Sequence, residues 1–226
     1  MKRYVSIEEI SDGKKYRRKD MVKADCNGCK GCSECCHGMG NSIVLDPYDI
    51  YQLGKGLNCS FRKLLEEKLE LTVIDGVVLP CIKMHEPLEQ CGFLDDRGRC
   101  SIHEFRPGIC RLFPLGRYYE EGRMFYILQT GECSANRTKV KVEKWLGLPS
   151  LPQYEEYICD WHYYLNGIEE AVKEALNQQQ SENANQITLK FLQTFFMTPY
   201  DVERDFYSQY QERRRCLPLS GECTTA

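Results

Sequence analysis

The chain has 226 residues, of which 42% are hydrophobic and 28% charged, as in a soluble globular protein with one substantial domain. Its net charge of -3 gives no reason to expect a nucleic acid or a membrane surface as a partner. No apolar run is long enough to span a membrane, and the charged N-terminus lacks the apolar core of a secretory signal, so we expect a cytoplasmic protein. In that reducing compartment, the 14 cysteines favour metal binding or catalysis over disulfides.

The predicted fold is a mainly helical α+β protein with an irregular, cysteine-rich metal-binding core over residues 24–135. Small β-hairpins contribute to this core, and helices surround it. Residues 1–25 are polar and are predicted to form a surface segment with at most a short strand or helix. A soft boundary near residue 180 separates the cysteine-cluster domain, residues 1–180, from a helical extension over residues 181–226 that we expect to pack on it.

Two helices are predicted directly after the first cysteines. Asp46 can cap a helix with Pro47 in its first turn, and Gly54 or Gly56 would end it. Ser60 can cap the second helix. Its apolar face would consist of Phe61, Leu64, Leu65 and Leu69.

The middle of the chain favours tight hairpins. Asp75-Gly76 lies between two β-rich runs, which is a strong turn signal, and Glu121-Gly122 repeats the pattern further on. Residues 96–98 are predicted to form a turn between Cys91 and Cys100.

From residue 136 onwards the sequence predicts helices. RTKVKVEKWLG, residues 137–147, is predicted to be one helix that ends near Gly147. QQQSENANQ, residues 178–186, is predicted to be a polar linker, followed by helices over ITLKFLQTFFM and YDVERDFYSQYQERRR. The apolar stripe of the helical region before the linker would contain Tyr154, Tyr157, Ile158, Trp161, Leu165, Ile168, Val172, Ala175 and Leu176.

The densest chemical signal is the run CNGCKGCSECC. Thiolates are soft ligands that suit zinc, copper(I) and iron–sulfur clusters, and successive CxxC steps resemble the bacterial ferredoxin spacing. The run departs from that spacing, because its last step is two residues, an extra cysteine follows at once and no proline comes after it. Neighbouring side chains tend to point apart, so the last two cysteines could serve different centres. The five candidate ligands are Cys26, Cys29, Cys32, Cys35 and Cys36.

A second set of cysteines is more widely spaced, and each member lies near a glycine, a proline or a predicted turn. These four candidate ligands are Cys91, Cys100, Cys110 and Cys133. One tetrahedral zinc or one cubane cluster needs only four thiolates, so the two sets together suit two metal centres. Ordinary buried thiols are the alternative for the second set. That alternative is preferred for the isolated cysteines Cys59, Cys81, Cys159, Cys216 and Cys223.

The two sets together resemble a known family. CKGCSECC, residues 29–36, is similar to the CxxCxxCC signature of the YkgJ-type cysteine-cluster proteins, a zinc- or iron-chelating domain family. The later C-x-F-L, G-R-C-S-I-H and R-P-G-I-C-R-L-F-P segments resemble the second signature of that family, so the resemblance covers roughly residues 24–135. It implies eight characteristic cysteines and leaves Cys26 as an additional candidate. The eight are Cys29, Cys32, Cys35, Cys36, Cys91, Cys100, Cys110 and Cys133.

The resemblance implies chelation of iron or zinc, often with an iron–sulfur oxidoreductase role, but no single agreed reaction. We therefore favour a [4Fe–4S] cluster with a redox or accessory role and a redox partner or protein substrate of unknown identity. The alternatives are a structural or interaction protein that binds zinc, and an enzyme related to the flagellin lysine N-methylase. That methylase resembles this chain through the same cysteine module, but it is larger and uses S-adenosylmethionine. Its additional region is not found in this chain, so methyl transfer is not carried over and no catalytic residue is assigned.

Polar residues near the cysteines have more than one possible role. His37 and His103 are either solvated loop residues, which we favour, or ligands and hydrogen-bond donors at the centre. Arg106, Arg111 and Arg117 could offset the negative charge of thiolates, bind an anionic substrate, or form ordinary surface ion pairs.

Replacement of Cys32 by Ser tests the opening run. We expect the Cys32→Ser variant to lose metal and to unfold at a lower temperature, because metal binding is coupled to folding in such sites. Metal analysis and thermal unfolding measure both effects, and an unchanged metal content would reject Cys32 as a ligand. A disulfide role would instead make the protein sensitive to reductant and insensitive to chelator.

Overall fold

The structure is a computed structural model and describes residues 6–25, 32–133 and 138–219. It confirms a mainly helical α+β fold. The helices and strands follow one another along the chain as α1 Ile7–Ile10, β1 Met21–Asp25, α2 Pro47–Leu57, α3 Phe61–Glu67, β2 Leu69–Ile74, β3 Val77–Ile82, β4 Met84–His85, β5 Gln90–Cys91, α4 Gly108–Leu112, β6 Leu115–Glu120, β7 Arg123–Leu128, β8 Thr138–Lys141, α5 Val142–Leu146, α6 Leu151–Asn177, α7 Ser181–Leu192 and α8 Phe206–Cys216. Short 3-10 turns lie at Glu34–Cys36 and His103–Phe105, and α7 continues into a π-helical turn at Gln193–Met197. A helix with the length and apolar character of a membrane span does not occur in the described ranges.

The strands form four antiparallel pairs, and in the described part of the chain these pairs do not join into a larger sheet. Three pairs are local, namely β2 with β3, β4 with β5 and β6 with β7. The fourth joins β1 to β8, with Met21 opposite Lys141 and Val22 opposite Val140. This pair brings together the two ends of the cysteine-rich region. Because Val22 and Ala24 are buried, the prediction of a surface segment is wrong for β1.

Helix α2 begins as predicted and ends later than predicted. Asp46 and Asp49 form a reciprocal capping box, in which the Asp46 side chain accepts from the Asp49 N–H and the Asp49 side chain accepts from the Asp46 N–H. The helix continues through both glycines to Leu57. Gly56 is needed for packing, because a Cβ at this position would lie 2.6 Å from the Phe105 ring.

Helix α3 is capped by Ser60 as predicted, since the Ser60 side chain accepts from the Lys63 N–H at 3.3 Å. Phe61 and Leu64 are buried on its inner face. Leu69 does not extend that face, because it already lies in β2.

Two of the predicted hairpins are confirmed, and both turn on a pair of residues with positive φ. Asp75 and Gly76 have φ of 50° and 89°, and Glu121 and Gly122 have φ of 49° and 74°. The turn between Cys91 and Cys100 is less regular. The Asp95 carboxylate accepts from the N–H groups of Arg97 and Arg99, and only an isolated bridge joins Leu94 to Cys100.

Two predictions in the second half of the chain are wrong. Residues 138–141 form β8 instead of the first turn of a helix, because Val140 is buried opposite Val22 of β1; only Val142–Leu146 is helical. The predicted linker at residues 178–186 is only a turn over 178–180, and α7 starts at Ser181. The sequence around Ala184 is polar and gives no sign of a helix, but Ala184 is buried, and this tertiary contact stabilises the start of α7.

An aromatic core joins α6 to α7, its π-helical turn and α8. The Trp161 ring lies 5.6 Å from that of Phe191 and 5.3 Å from that of Phe195, and Tyr157 meets Tyr210 edge-on at 4.8 Å. Burial of the predicted apolar stripe of α6 is confirmed, except that Leu165 is half-buried and Leu176 is exposed. The domain boundary near residue 180 stays a prediction.

Phe191→Ala tests how much this aromatic core contributes to the stability of the fold. Phe191 is fully buried, so we expect its truncation to lower the free energy of unfolding by about 3–5 kcal/mol in urea titrations. Leu189→Ala, on the same helix at a side chain that is 64% exposed, is the matched control and should change it by less than about 1 kcal/mol. Equal losses in the two variants would contradict the assignment of the core.

Candidate metal centre

Seven of the nine predicted ligands lie in the described residues, whereas Cys26 and Cys29 lie outside them. The described cysteines are all free thiols. The structure brings five of the seven into one group, in which each thiol feels the charge of at least one other. This group, called the thiol cluster below, consists of Cys35, Cys36, Cys91, Cys100 and Cys110.

The remaining two predicted ligands in the described residues are placed differently. Cys32 is exposed and Cys133 is half-buried. Cys159 lies on α6, where its thiol donates to the Gly122 carbonyl at 3.4 Å, and Cys81 is buried in β3.

Backbone contacts between distant segments assemble the thiol cluster. The 3-10 turn that carries Cys35 and Cys36 is followed by His37, which forms an isolated bridge with Gln90 next to Cys91. The Gly38 N–H donates to the Glu89 carbonyl at 3.0 Å in the same place. Thus the first cysteine run is held against the β4–β5 pair.

Cys100 and Cys110 join from the other side of the cluster. The Ser101 N–H donates to the Phe93 carbonyl at 2.9 Å, which folds the Asp95 turn back and sets Cys100 near Cys91. Cys110 lies on the short helix α4, whose first residue, Gly108, donates its N–H to the Asp49 carboxylate at 2.8 Å. Cys110 is therefore positioned by a contact with helix α2.

The thiols of the cluster cannot all ionise easily without a positive charge among them. A hydrogen bond from Cys36 and the charge of Arg106 lower the pKa of Cys35 to about 7, and the same hydrogen bond together with burial raises the pKa of Cys36. Burial raises the pKa of the other three, Cys91, Cys100 and Cys110. A bound metal cation would remove this penalty, so the donor set fits a thiophilic metal or cluster in its chemistry.

The described residues alone do not form a closed metal site. Within residues 6–25, 32–133 and 138–219, three or more Cys, His, Asp or Glu side chains do not converge at the spacing that holds a metal ion. Cys26 and Cys29, which the sequence also predicts as ligands, lie outside these ranges.

Arg106 is the arginine that lies at the thiol cluster. Its positive charge favours the thiolate forms of Cys35 and Cys100, and its guanidinium lies 2.7 Å from His103 Nε2. Burial and the nearby arginines lower the pKa of His103, so its neutral ring can accept this hydrogen bond. His37 is exposed, with Nδ1 at 2.9 Å from the Ser33 carbonyl oxygen.

The other two arginines donate to oxygen atoms of the protein. Arg111 donates to the carbonyl oxygens of Glu104 at 2.6 Å and Leu146 at 3.4 Å, while burial and the charge of Arg106 lower its pKa. Arg117 reaches the Tyr154 hydroxyl. Charge compensation of thiolates therefore applies to Arg106.

A buried acidic pair, Asp46 and Asp49, supports the cluster. The sequence predicted Asp46 as a helix cap and gave no signal for Asp49. The Tyr157 hydroxyl donates to Asp46 at 3.0 Å. The positive charge of Arg117 favours the ionised form of both carboxyls and so acts against the effect of burial. Burial and the charge of Asp46 raise the pKa of Asp49 to about 8, and burial raises that of Asp46. The pair therefore shares a proton near neutral pH.

The raised pKa of Asp49 predicts a stability that declines with pH. Its folded pKa of about 8 exceeds the ordinary value of 3.8, so its contribution is complete below about pH 4 and is lost as the pH rises through about 8. Asp49→Asn cannot ionise and keeps an oxygen for the Gly108 N–H. We expect this variant to flatten the decline between pH 4 and 8 by at least about 1 kcal/mol, as measured by urea unfolding.

The groups that face Asp49 are Asp46, Arg117, Tyr154 and Cys110, and all of them are kept in that variant. Asp96→Asn, in an exposed turn, is the matched control and should leave the pH profile unchanged. A profile for Asp49→Asn that parallels the parent protein would show that Asp49 does not bind the proton.

Comparison with known families identifies the segment that holds the thiol cluster. The model of the family CxxCxxCC, described as "Putative zinc- or iron-chelating domain", matches residues 28–134. No curated protein and no solved structure matches the chain. The matched segment contains eight of the nine cysteines predicted as ligands and begins after Cys26.

Proposed function

Residues 28–134 form a zinc- or iron-chelating domain of the CxxCxxCC family, and from this premise we propose that the protein binds a [4Fe–4S] cluster. We propose further that the cluster serves a redox or accessory role toward a protein partner in the cytoplasm. The single observation that carries the proposal is the gathering of the five thiols of the thiol cluster from separate segments of the chain.

The spacing of the opening run favours a cluster over zinc, because its three CxxC steps are typical of ferredoxin-like sites. The number of thiols suits either group, since a tetrahedral zinc site and a cubane cluster each need four. This region offers five grouped thiols and four further cysteines predicted as ligands.

Four thiols of the group are the proposed ligands of one centre. Cys91, Cys100 and Cys110 all feel the charge of Cys35, so these four would hold the cluster, with Cys36 donating to the Cys35 sulfur. A bound [4Fe–4S] cluster supplies one-electron transfer. The remaining predicted ligands, available for a second centre, are Cys26, Cys29, Cys32, Cys36 and Cys133.

The protein contributes charge balance and shelter to that centre. Arg106 offsets part of the negative charge of the thiolates, and it does so from a half-buried position where the interaction is only partly screened. Cys91 is buried and the other cluster thiols are half-buried, which limits the access of water to the sulfurs.

A structural zinc site is the second candidate. The observation in its favour is the short, irregular secondary structure around Cys91, Cys100 and Cys110, segments that a metal would tie together. In that case the domain would act as a structural or interaction module without redox chemistry.

Anaerobic purification separates the two candidates. For the [4Fe–4S] assignment we expect a brown protein with broad visible absorbance, and about four iron and four acid-labile sulfide per centre, since that is the composition of the cluster. The absorbance should bleach on reduction with dithionite. A colourless protein that carries stoichiometric zinc would overturn the iron–sulfur proposal and leave the zinc candidate.

Cys110→Ser tests the proposed ligand set. We expect loss of the iron absorbance and a lower unfolding temperature, because Cys110 is held in the thiol cluster and metal binding is coupled to folding. Cys59→Ser, a half-buried cysteine outside the thiol cluster, is the control and should keep its full iron content. Full iron content in Cys110→Ser as well would remove Cys110 from the set.

A further inference from the structure

A cavity of about 160 Å³ opens beside the thiol cluster, on the side where Arg106 lies. Helix α2 supplies Tyr48 and Gln52 to its wall, and Arg111 of α4 faces them. The volume is below the several hundred Å³ of pockets that hold drug-sized ligands, so only a small molecule would fit.

Two guanidinium groups face this cavity without a carboxylate partner. Among the ion pairs of the described residues, neither Arg106 nor Arg111 takes part in one. Arg111 donates only to carbonyl oxygens, and Arg106 Nε is buried with no hydrogen-bond partner. A buried N–H with no partner is costly, and a ligand oxygen would satisfy it.

The acidic groups of the wall do not cancel these charges. The Asp49 carboxylate has other partners, since it accepts from the N–H groups of Gly108 and Asp46 and lies near the charge of Arg117. Glu104 lies on the exposed rim, and it is its carbonyl oxygen that accepts from Arg111. The interior of the cavity therefore retains the positive charge of two arginines.

The rest of the wall is apolar or aromatic. Phe105, Leu148, Pro149 and Tyr154 contribute ring and aliphatic surface next to the guanidinium groups. A bare inorganic ion would leave this surface unused, whereas a small organic acid would cover it and present its oxygens to the arginines.

We propose that this cavity is a binding site for a small organic carboxylate, held through Arg106 and Arg111 and sheltered by the aromatic wall. Arg106 is shared, because it faces the thiol cluster on one side and the cavity on the other. The site goes beyond metal chelation and does not depend on which metal the thiols hold. It would place a carboxylate ligand directly beside the metal-binding thiols.

Benzoate titration of the purified, metal-loaded protein tests the site, with benzamide as the neutral isostere and inorganic phosphate as the anion without apolar surface. We expect saturable heat in isothermal titration calorimetry for benzoate and none for benzamide. Saturable binding of phosphate without binding of benzoate would overturn the assignment to an organic carboxylate, and so would the absence of saturable benzoate binding.

Gln52→Glu provides the sharpest variant, because it adds a negative charge to the wall without a change in size and leaves both arginines in place. We expect it to weaken benzoate binding by about tenfold or more, the loss expected for one charge-assisted interaction. Gln186→Glu, on an exposed position of α7, is the matched control and should bind like the parent protein.

Arg111→Gln should weaken benzoate binding to a similar extent. Metal content and unfolding temperature are measured for all three variants, so that failure of metal binding and failure of carboxylate binding are distinguished. Undiminished benzoate binding in Gln52→Glu, with its metal intact, would place the ligand elsewhere and overturn the proposal.

Discussion

The mutual repulsion of buried thiolates is the constraint on which the rest of this structure depends. Bringing Cys35, Cys91, Cys100 and Cys110 together is unfavourable once they ionise, because burial weakens the screening of their charges. This unfavourable repulsion is confined to the thiol cluster, and the hydrogen bonds that hold the surrounding segments together do not involve the sulfurs. A cation at the thiol cluster would convert the same arrangement from a cost into a source of stability.

The buried acidic pair shows how the supporting contacts are arranged. Asp49 completes the capping box of helix α2 and, at the same time, accepts from the N–H of Gly108, the residue that begins the helix of Cys110. Gly108 allows this approach because a side chain there would collide with Tyr154 and Arg117. Thus one carboxylate links the regular, helical part of the protein to the irregular part that carries the cysteines.

Local signals were sufficient to predict much of the fold. The caps at Asp46 and Ser60 and the turns at Asp75-Gly76 and Glu121-Gly122 depend on neighbouring residues only, and all are confirmed. The errors lie where a distant partner decides. Residues 138–141 are a strand because β1 is opposite them. The sequence singled out Arg106 and Arg111 beside the cysteines, but not the cavity that they share with side chains of α2 and α6, because those helices are distant in the chain.

The β1–β8 pair has a consequence for how the protein becomes ordered. Asp25 and Thr138 are partners, so this short ladder closes a loop that contains all nine cysteines predicted as ligands. Closing a long loop costs conformational entropy that a few ladder hydrogen bonds repay only in part. Bonds from a metal to the cysteines of the loop would shorten its unconstrained segments and lower the entropy cost of closing it. Loop closure and metal binding would therefore favour one another. On the ribosome, the ladder cannot form until β8 has emerged, by which time all the thiols of the loop are already outside and competing for metal.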